Sequence, residues 1–303
     1  MYNHEATYRR LSKKALTFLY LFFVGFGVFV FAAPPACAQK TFDQRPVVIV
    51  GDSQHNAMVH KKIVSAIIEQ KPIAVFSLGD HVEDGDDPKL WKIFNETIDP
   101  LRAVSKYYPA LGNHERNSSL YYKNFGLSDK RGWYAVEENN ILFIVLDSND
   151  PLGLSTTSSE QYRWLEDVLA SKGLQDEYIV VLFHHPLFTT SMSHPEDEKG
   201  WRKTALPLFE KYHVDLVFSG HCHNYERSFY KGIYFIVSGG GGSSLYDKSR
   251  ESPYSQVFIK KYHFCKLVSE EKALYLTIFD IDGKVIDEIE IHSKRVLKEK
   301  KKS

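Results

Sequence analysis

An α/β layered fold is predicted by three features of this 303-residue sequence. Short β-branched runs recur along it, helical stripes separate several of them, and the runs end in polar clusters. Runs of four to eight apolar residues suit strands buried on both faces. Alternation of such strands with helices is the signature of layered α/β packing.

In chain order the predicted strands are Pro46–Val50, Ile73–Leu78, Tyr107–Leu111, Ile141–Leu146, Tyr178–Phe183, Val214–Phe218, Gly232–Val237, Leu274–Ile278 and Val285–Ile291. Between the first two, Ile63, Val64, Ile67 and Ile68 form one apolar stripe at helical spacing. Tyr162, Leu165, Val168 and Leu169 form another, and Thr157 with Glu160 offers it a capping box. The later strands have shorter connections, which predicts an antiparallel part of the sheet.

Composition is that of an ordinary globular chain, with 43% hydrophobic and 25% charged residues. The formal net charge is zero but unevenly placed. Residues 1–38 carry +3 and residues 294–303 carry +5, which leaves −8 over 39–293. An acidic body disfavours nucleic-acid binding, which rests on neutralising phosphates. The basic tail reads as a solvated terminus, or as a contact for an anionic membrane surface. Cys37, Cys222 and Cys265 show no zinc-finger spacing.

The N-terminus reads as an export signal. Basic residues from Arg9 to Lys14 precede an apolar run from Ala15 to Ala33, and Pro34 and Pro35 break it. Ala36-Cys37-Ala38 then has the form of a cleavage site, with cleavage expected after Ala38. The run 15–33 is also nearly long enough to span a bilayer, so an uncleaved membrane anchor is the alternative. Either reading exports the body, to the periplasm or beyond. The organisation expected is a signal or anchor over 1–38, a linker over 39–45, one domain over 46–293 and a tail over 294–303.

The polar clusters carry the chemistry. They are Gly51-Asp52-Ser53-Gln54, Gly79-Asp80-His81-Val82-Glu83-Asp84-Gly85, Gly112-Asn113-His114-Glu115, His184-His185-Pro186 and Gly220-His221-Cys222-His223. Ligand sites in α/β sheets form beyond the carboxyl ends of strands, and each cluster follows a predicted strand directly. Together they offer imidazole, carboxylate and amide oxygen, a donor set for Zn, Mn or Fe.

In this order the clusters resemble the calcineurin-like metallophosphoesterases. Gly220–Arg227, reading GHCHNYER, is similar to the purple acid phosphatase-like branch, as are the Gln161-x-x-Trp164-Leu165 helix and the Gly239–Gly242 loop. The resemblance covers about 46–290. It implies a four-layer α-β-β-α sandwich with two mixed sheets and a site for two divalent or trivalent metal ions. Asp80 would bridge both ions. Asn113, His184 and His221 would complete one site, and Asp52 and His223 would belong to the other. A hydroxide held between the ions would attack a small phosphate mono- or diester. His114 would contact substrate and protonate the leaving group, with His194 as a second acid.

The sequence departs from the family at the Asp52 site. Most members place a His at the position of Gln54, and the purple branch places a Tyr at that of Glu83. Gln54 and Glu83 are therefore tentative metal ligands, and Glu83 is alternatively a partner of His114 or a solvated carboxylate. Without the Tyr ligand no tyrosinate-to-iron colour is expected. These departures also motivate a rival reading, a degenerate member that binds metal or phosphate without turnover. A membrane-tethered scaffold is a third.

Smaller features carry weaker expectations. Tyr225, Glu226 and Arg227 would brace the His221–His223 loop or shape the pocket. His185 would be packed beside the site and His81 structural. Gly239–Gly242 would form a tight loop at the rim rather than a phosphate cradle. His55, His60, His213 and His263 receive no role. No obligate protein partner is evident.

Overall fold

The computed structural model describes residues 45–127, 131–171, 178–270 and 273–293. These fall in one compact unit. The expectations for the export segment, the linker before residue 45 and the basic tail lie outside the described residues. Among the described residues no helix is long and apolar enough to cross a membrane.

The first sheet takes β1 (Val47–Val50), β2 (Ala74–Ser77) and β3 (Lys106–Pro109) in parallel. An antiparallel meander of β11 (His263–Ser269), β12 (Leu274–Asp280) and β13 (Val285–Ile291) continues it from β1. Its order is β13-β12-β11-β1-β2-β3. The second sheet has β5 (Ile141–Val145), β6 (Tyr178–Phe183), β7 (Leu216–Ser219) and β9 (Ile233–Ser238) in parallel. β4 (Tyr134–Glu138) closes one edge, while β8 (Tyr225–Tyr230) and β10 (Ser255–Ile259) close the other, all antiparallel. The fold is the expected α/β sandwich of two mixed sheets.

Strand alternation builds three apolar layers. Val47 and Ile49 of β1 join a cluster with Phe76, Phe143, Val180, Leu182 and Phe218, the core between the sheets. Val48 and Val50 point the other way, onto α1 (Ala57–Glu69) and α2 (Pro88–Arg102). On the second sheet Leu142, Ile144, Ile179 and Val181 pack against α4 (Glu160–Ser171) and α5 (Arg202–Lys211). A strand flanked by two such layers has no polar face, which is why its sequence reads as a continuous apolar run. Each fully buried aliphatic side chain contributes about 1.5–3 kcal/mol.

The first helix begins where Asn56 accepts a hydrogen bond from Val59 N at 3.2 Å, and it buries Ile63, Val64 and Ile67. The Thr157–Glu160 capping box does not form. Ser159 Oγ instead accepts from Tyr162 N at 3.0 Å, so the start of α4 lies two residues later. Sequence pattern also missed β4, β8, β10 and β11 and the helices α2, α3 (Ser119–Phe125) and α5.

Candidate metal centre

The carboxyl ends of β1, β2 and β3 and of β6 and β7 bring the five clusters together. At three of them the backbone turns through the left-handed region at a non-glycine residue: Asp52 (φ 62°), Asp80 (φ 53°) and His221 (φ 67°). Such residues are uncommon and concentrate at functional sites. Gly112 makes the Asp80 turn possible, since a Cβ there would lie 2.1 Å from Asp80 N and 2.2 Å from Asp80 Oδ1.

His184 stands at the centre. Its Nδ1 is tied to the carbonyl of Leu78 at 2.8 Å. Its Nε2 faces Asn113 Oδ1 (2.9 Å), Asp80 Oδ2 (3.2 Å) and His221 Nδ1 (3.2 Å). His221 is held from behind by Glu198 Oε2, 3.1 Å from its Nε2. His223 ties Nδ1 to the carbonyl of Ser244 at 2.9 Å and turns Nε2 toward Asp52 Oδ1, 3.6 Å away. Asp52 also accepts from His221 N at 2.9 Å, which joins the two halves of the centre. Each imidazole thus has one nitrogen fixed by an outer oxygen and the other turned inward, the arrangement that orients histidine ligands on a metal.

The electrostatics follow from burial and close charges. Burial raises Asp52, with Asp80 adding to the rise and His184 opposing it. Burial opposes ionisation of Asp80 too, yet the adjacent His184 and His114 hold it well below the usual carboxylate range. His184 resists charge through burial, but Asp80 and Asp52 push it up to about 9. Burial lowers His221 to about 4 and His223 to about 3. Donor atoms of Asp52, Asp80 and His184 lie within 4.8 Å of one another, as do those of His184, His185 and His221. Buried donors of these types, already oriented inward, fit divalent or trivalent ions.

The remaining predicted residues divide. His114 is at the rim: its Nδ1 meets the backbone carbonyl of Glu83 at 2.8 Å, and its Nε2 lies 3.9 Å from Asp80 Oδ2. The Glu83 carboxylate is 3.9 Å from His114 but 2.5 Å from His55. Gln54 donates from Nε2 to Asp80 Oδ2 at 3.4 Å, while its Oε1 accepts from Ser243 Oγ at 2.5 Å. His194 lies over His221 with ring centroids 3.7 Å apart. Its Nδ1 is 3.7 Å from Glu198. His185 is held by Ser148 Oγ at 2.8 Å.

Tyr225 and Arg227 do not brace the His221–His223 loop by the hydrogen bonds they make. Both reach Asp287 on β13 at 2.7 Å and link the two sheets. On a strand, neighbours alternate faces, and only Glu226 between them turns to the other side. There it accepts from Thr189 Oγ1, Thr190 N, Thr190 Oγ1 and Ser255 Oγ, and so fixes the start of the loop that carries His194 and Glu198. The glycine loop packs inward as a rim, with the Gly241 N–H donating to the carbonyl of Gly51. Cys222 and Cys265 are buried and free.

Sequence reasoning missed four residues. Glu115 is fully buried and its carboxylate accepts from the backbone N–H groups of Asp80 (3.0 Å), His81 (2.7 Å), Val82 (3.4 Å) and Gly112 (2.8 Å). Glu198 and His55 are the others described above, and Tyr246 stacks on His223 at 4.2 Å. Only Glu115 had a signal, its place directly after His114.

Known proteins share the family and fold of this chain. A model of the calcineurin-like phosphoesterase family matches residues 45–225. The chain belongs to that family. Within it the likeness is to purple acid phosphatases. "Probable inactive purple acid phosphatase 1" of Arabidopsis thaliana is 28% identical over 73% of this chain. A "Nucleotide pyrophosphatase/phosphodiesterase" of Hordeum vulgare is 27% identical over 72% of it. The structure of the purple acid phosphatase PPD1 from yellow lupin superposes with a TM-score of 0.72 at 23% identity, over 83% of this chain. This chain spans 43% of the Arabidopsis protein, 71% of the barley protein and 54% of the lupin one.

Proposed function

We propose that the chain is a metal-dependent phosphoesterase acting on small phosphate mono- or diesters. The observation that carries this reading is the inward convergence of Asp52, Asp80, Asn113, His184, His221 and His223 on one sheet edge, each imidazole already anchored by an outer oxygen. In this reading Asn113, His184 and His221 would hold one ion and Asp52 and His223 the other, with Asp80 available to both. Two bound ions would supply neutralisation of the phosphoryl oxygens and activation of the attacking water.

The chain's own residues do the rest. His114 is about one-quarter exposed and reachable from outside. Its Nδ1 proton is committed to the Glu83 carbonyl, so Nε2 is the atom that exchanges a proton with the leaving oxygen. His194 and Glu198 stand against His221. The N-terminal apolar run supports action outside the cytoplasm.

The test is metal content and hydrolysis on one sample of the full chain, with nitrophenyl and bis-nitrophenyl phosphate as substrates. Two ions per chain and metal-dependent release of nitrophenol are expected, and His114→Ala should lower turnover by about 10²–10⁴-fold. Fewer than two ions, and no hydrolysis after Zn, Mn or Fe is added, would favour the non-catalytic reading. That second reading is motivated by Gln54 and Glu83 and by a relative whose name includes "inactive".

A further inference from the structure

We propose that His55 supplies the imidazole that the Asp52 site otherwise lacks, with Glu83 orienting that ring rather than meeting the ion itself. This rests on the two-ion reading above and assigns a residue to it.

The donor deficit comes first. Asp52, Asp80 and His223 are three protein donors, one fewer than Asp80, Asn113, His184 and His221 offer the other ion. Gln54 stands at the next position but turns its oxygen to Ser243 and its N–H to Asp80. It presents a donor hydrogen toward the centre, where a cation needs a lone pair.

The anchoring pattern comes second. His184 is tied by the Leu78 carbonyl, His221 by Glu198 and His223 by the Ser244 carbonyl. His55 has the same kind of tie, with Nε2 2.5 Å from Glu83 Oε2. That contact commits Nε2 and leaves Nδ1 as the coordinating atom. A carboxylate–histidine–metal relay has this form.

Ring geometry comes third. His184 and His221, the pair assigned to one ion, have centroids 4.9 Å apart at 70°. His55 and His223 have centroids 5.8 Å apart at 78°. With metal–nitrogen bonds of about 2.1 Å, two imidazoles sharing an ion place their centroids roughly 4.5–6 Å apart over N–metal–N angles of about 90–135°. Both pairs meet that span. The same ring stands edge-on to His114 at 6.1 Å, so His55 neighbours both His223 and the proposed acid. An ordinary surface ion pair is worth about 0–1 kcal/mol and requires no such placement. In the sequence the ligand has moved one position along the turn between β1 and α1, from Gln54 to His55.

The experiment titrates Zn²⁺ into the metal-free full chain by calorimetry, with bound metal counted by elemental analysis. The wild type should take two ions. His55→Ala should keep one and bind the second at least about 100-fold more weakly. Glu83→Gln should keep both, with one weakened by about 10–100-fold. Circular dichroism of the metal-free variants should match the wild type, because His55 and Glu83 side chains are 35% and 51% exposed. Two ions at wild-type affinity in His55→Ala would overturn the inference and leave the two-ion reading intact. Loss of an ion in Glu83→Gln but not in His55→Ala would also overturn it, making the carboxylate the ligand. A wild type that takes fewer than two ions would refute the two-ion reading, and the inference with it.

Discussion

Glu115 is the residue whose replacement tests the architecture of the centre most directly. Its two oxygens gather four backbone N–H groups from the turns that carry Asp80 and Asn113. Glu115→Gln keeps the volume and exchanges one oxygen for an amide nitrogen. If that nitrogen takes the place of Oε2, it faces Asp80 N and Gly112 N; if Oε1, it faces His81 N and Val82 N. Either way two donors confront a donor. Hydrogen bonds to a charged group are worth about 1.5–3 kcal/mol each, so the loss is about 3–6 kcal/mol. That is a large share of a stability of about 5–15 kcal/mol. Urea unfolding of the metal-free chain measures it, because no bound ion then masks the change. A loss under about 1 kcal/mol would refute the claim that this carboxylate holds the two turns in place. Metal affinity should fall in parallel, since Asp80 and Asn113 are carried on the released backbone.

Three further outcomes follow from the same geometry. Gly112→Ala puts a methyl 2.1 Å from Asp80 N. It should cost more than about 2 kcal/mol and remove metal binding, and a variant that titrates like wild type would contradict the close approach. Asp287→Ala should lower stability by about 2 kcal/mol through Tyr225 and Arg227, with metal affinity unchanged. A change in metal binding there would return those residues to the site. Burial lowers His60 to about 3 and His263 to about 4, from ordinary values near 6.5. The folded state prefers both rings neutral. Stability is therefore full above pH 6.5 and falls as pH drops toward 4, where the unfolded chain takes up the protons first, by roughly 3 kcal/mol for each. His60→Leu should flatten that slope, and an unchanged slope would exclude His60 as its source.

What the sequence made legible was what burial on two sides imposes. β6, and β7 up to Ser219 at its end, are apolar because helices cover one face and the other sheet covers the second. β4 and β10 lie at sheet edges, and β8 carries Glu226, Arg227 and Ser228, so none reads as an apolar run. The stripe of α2, Trp91, Phe94, Ile98 and Leu101, is interrupted by Pro100, and α5 contains Pro207 and lacks a side-chain cap. The candidate metal donors were visible because a glycine or a strand end fixes each one locally. Glu198 and Tyr246 were not, because each reaches its histidine from a loop more than twenty residues away in the chain, and no local pattern encodes that approach.

The hydrogen bond from His221 N to Asp52 spans 169 positions. Neither end of that span holds a site alone: the first three clusters have carboxylates and an amide without the His184, His221 and His223 rings, and the last two have those rings without carboxylates. During synthesis the acidic donors emerge long before β7 and its histidines, so the full donor set assembles only when both halves are present. Closing so long a loop belongs late in folding. On the two-ion proposal, metal capture would report completed tertiary structure, since a chain that takes up both ions must already have brought both sheets together.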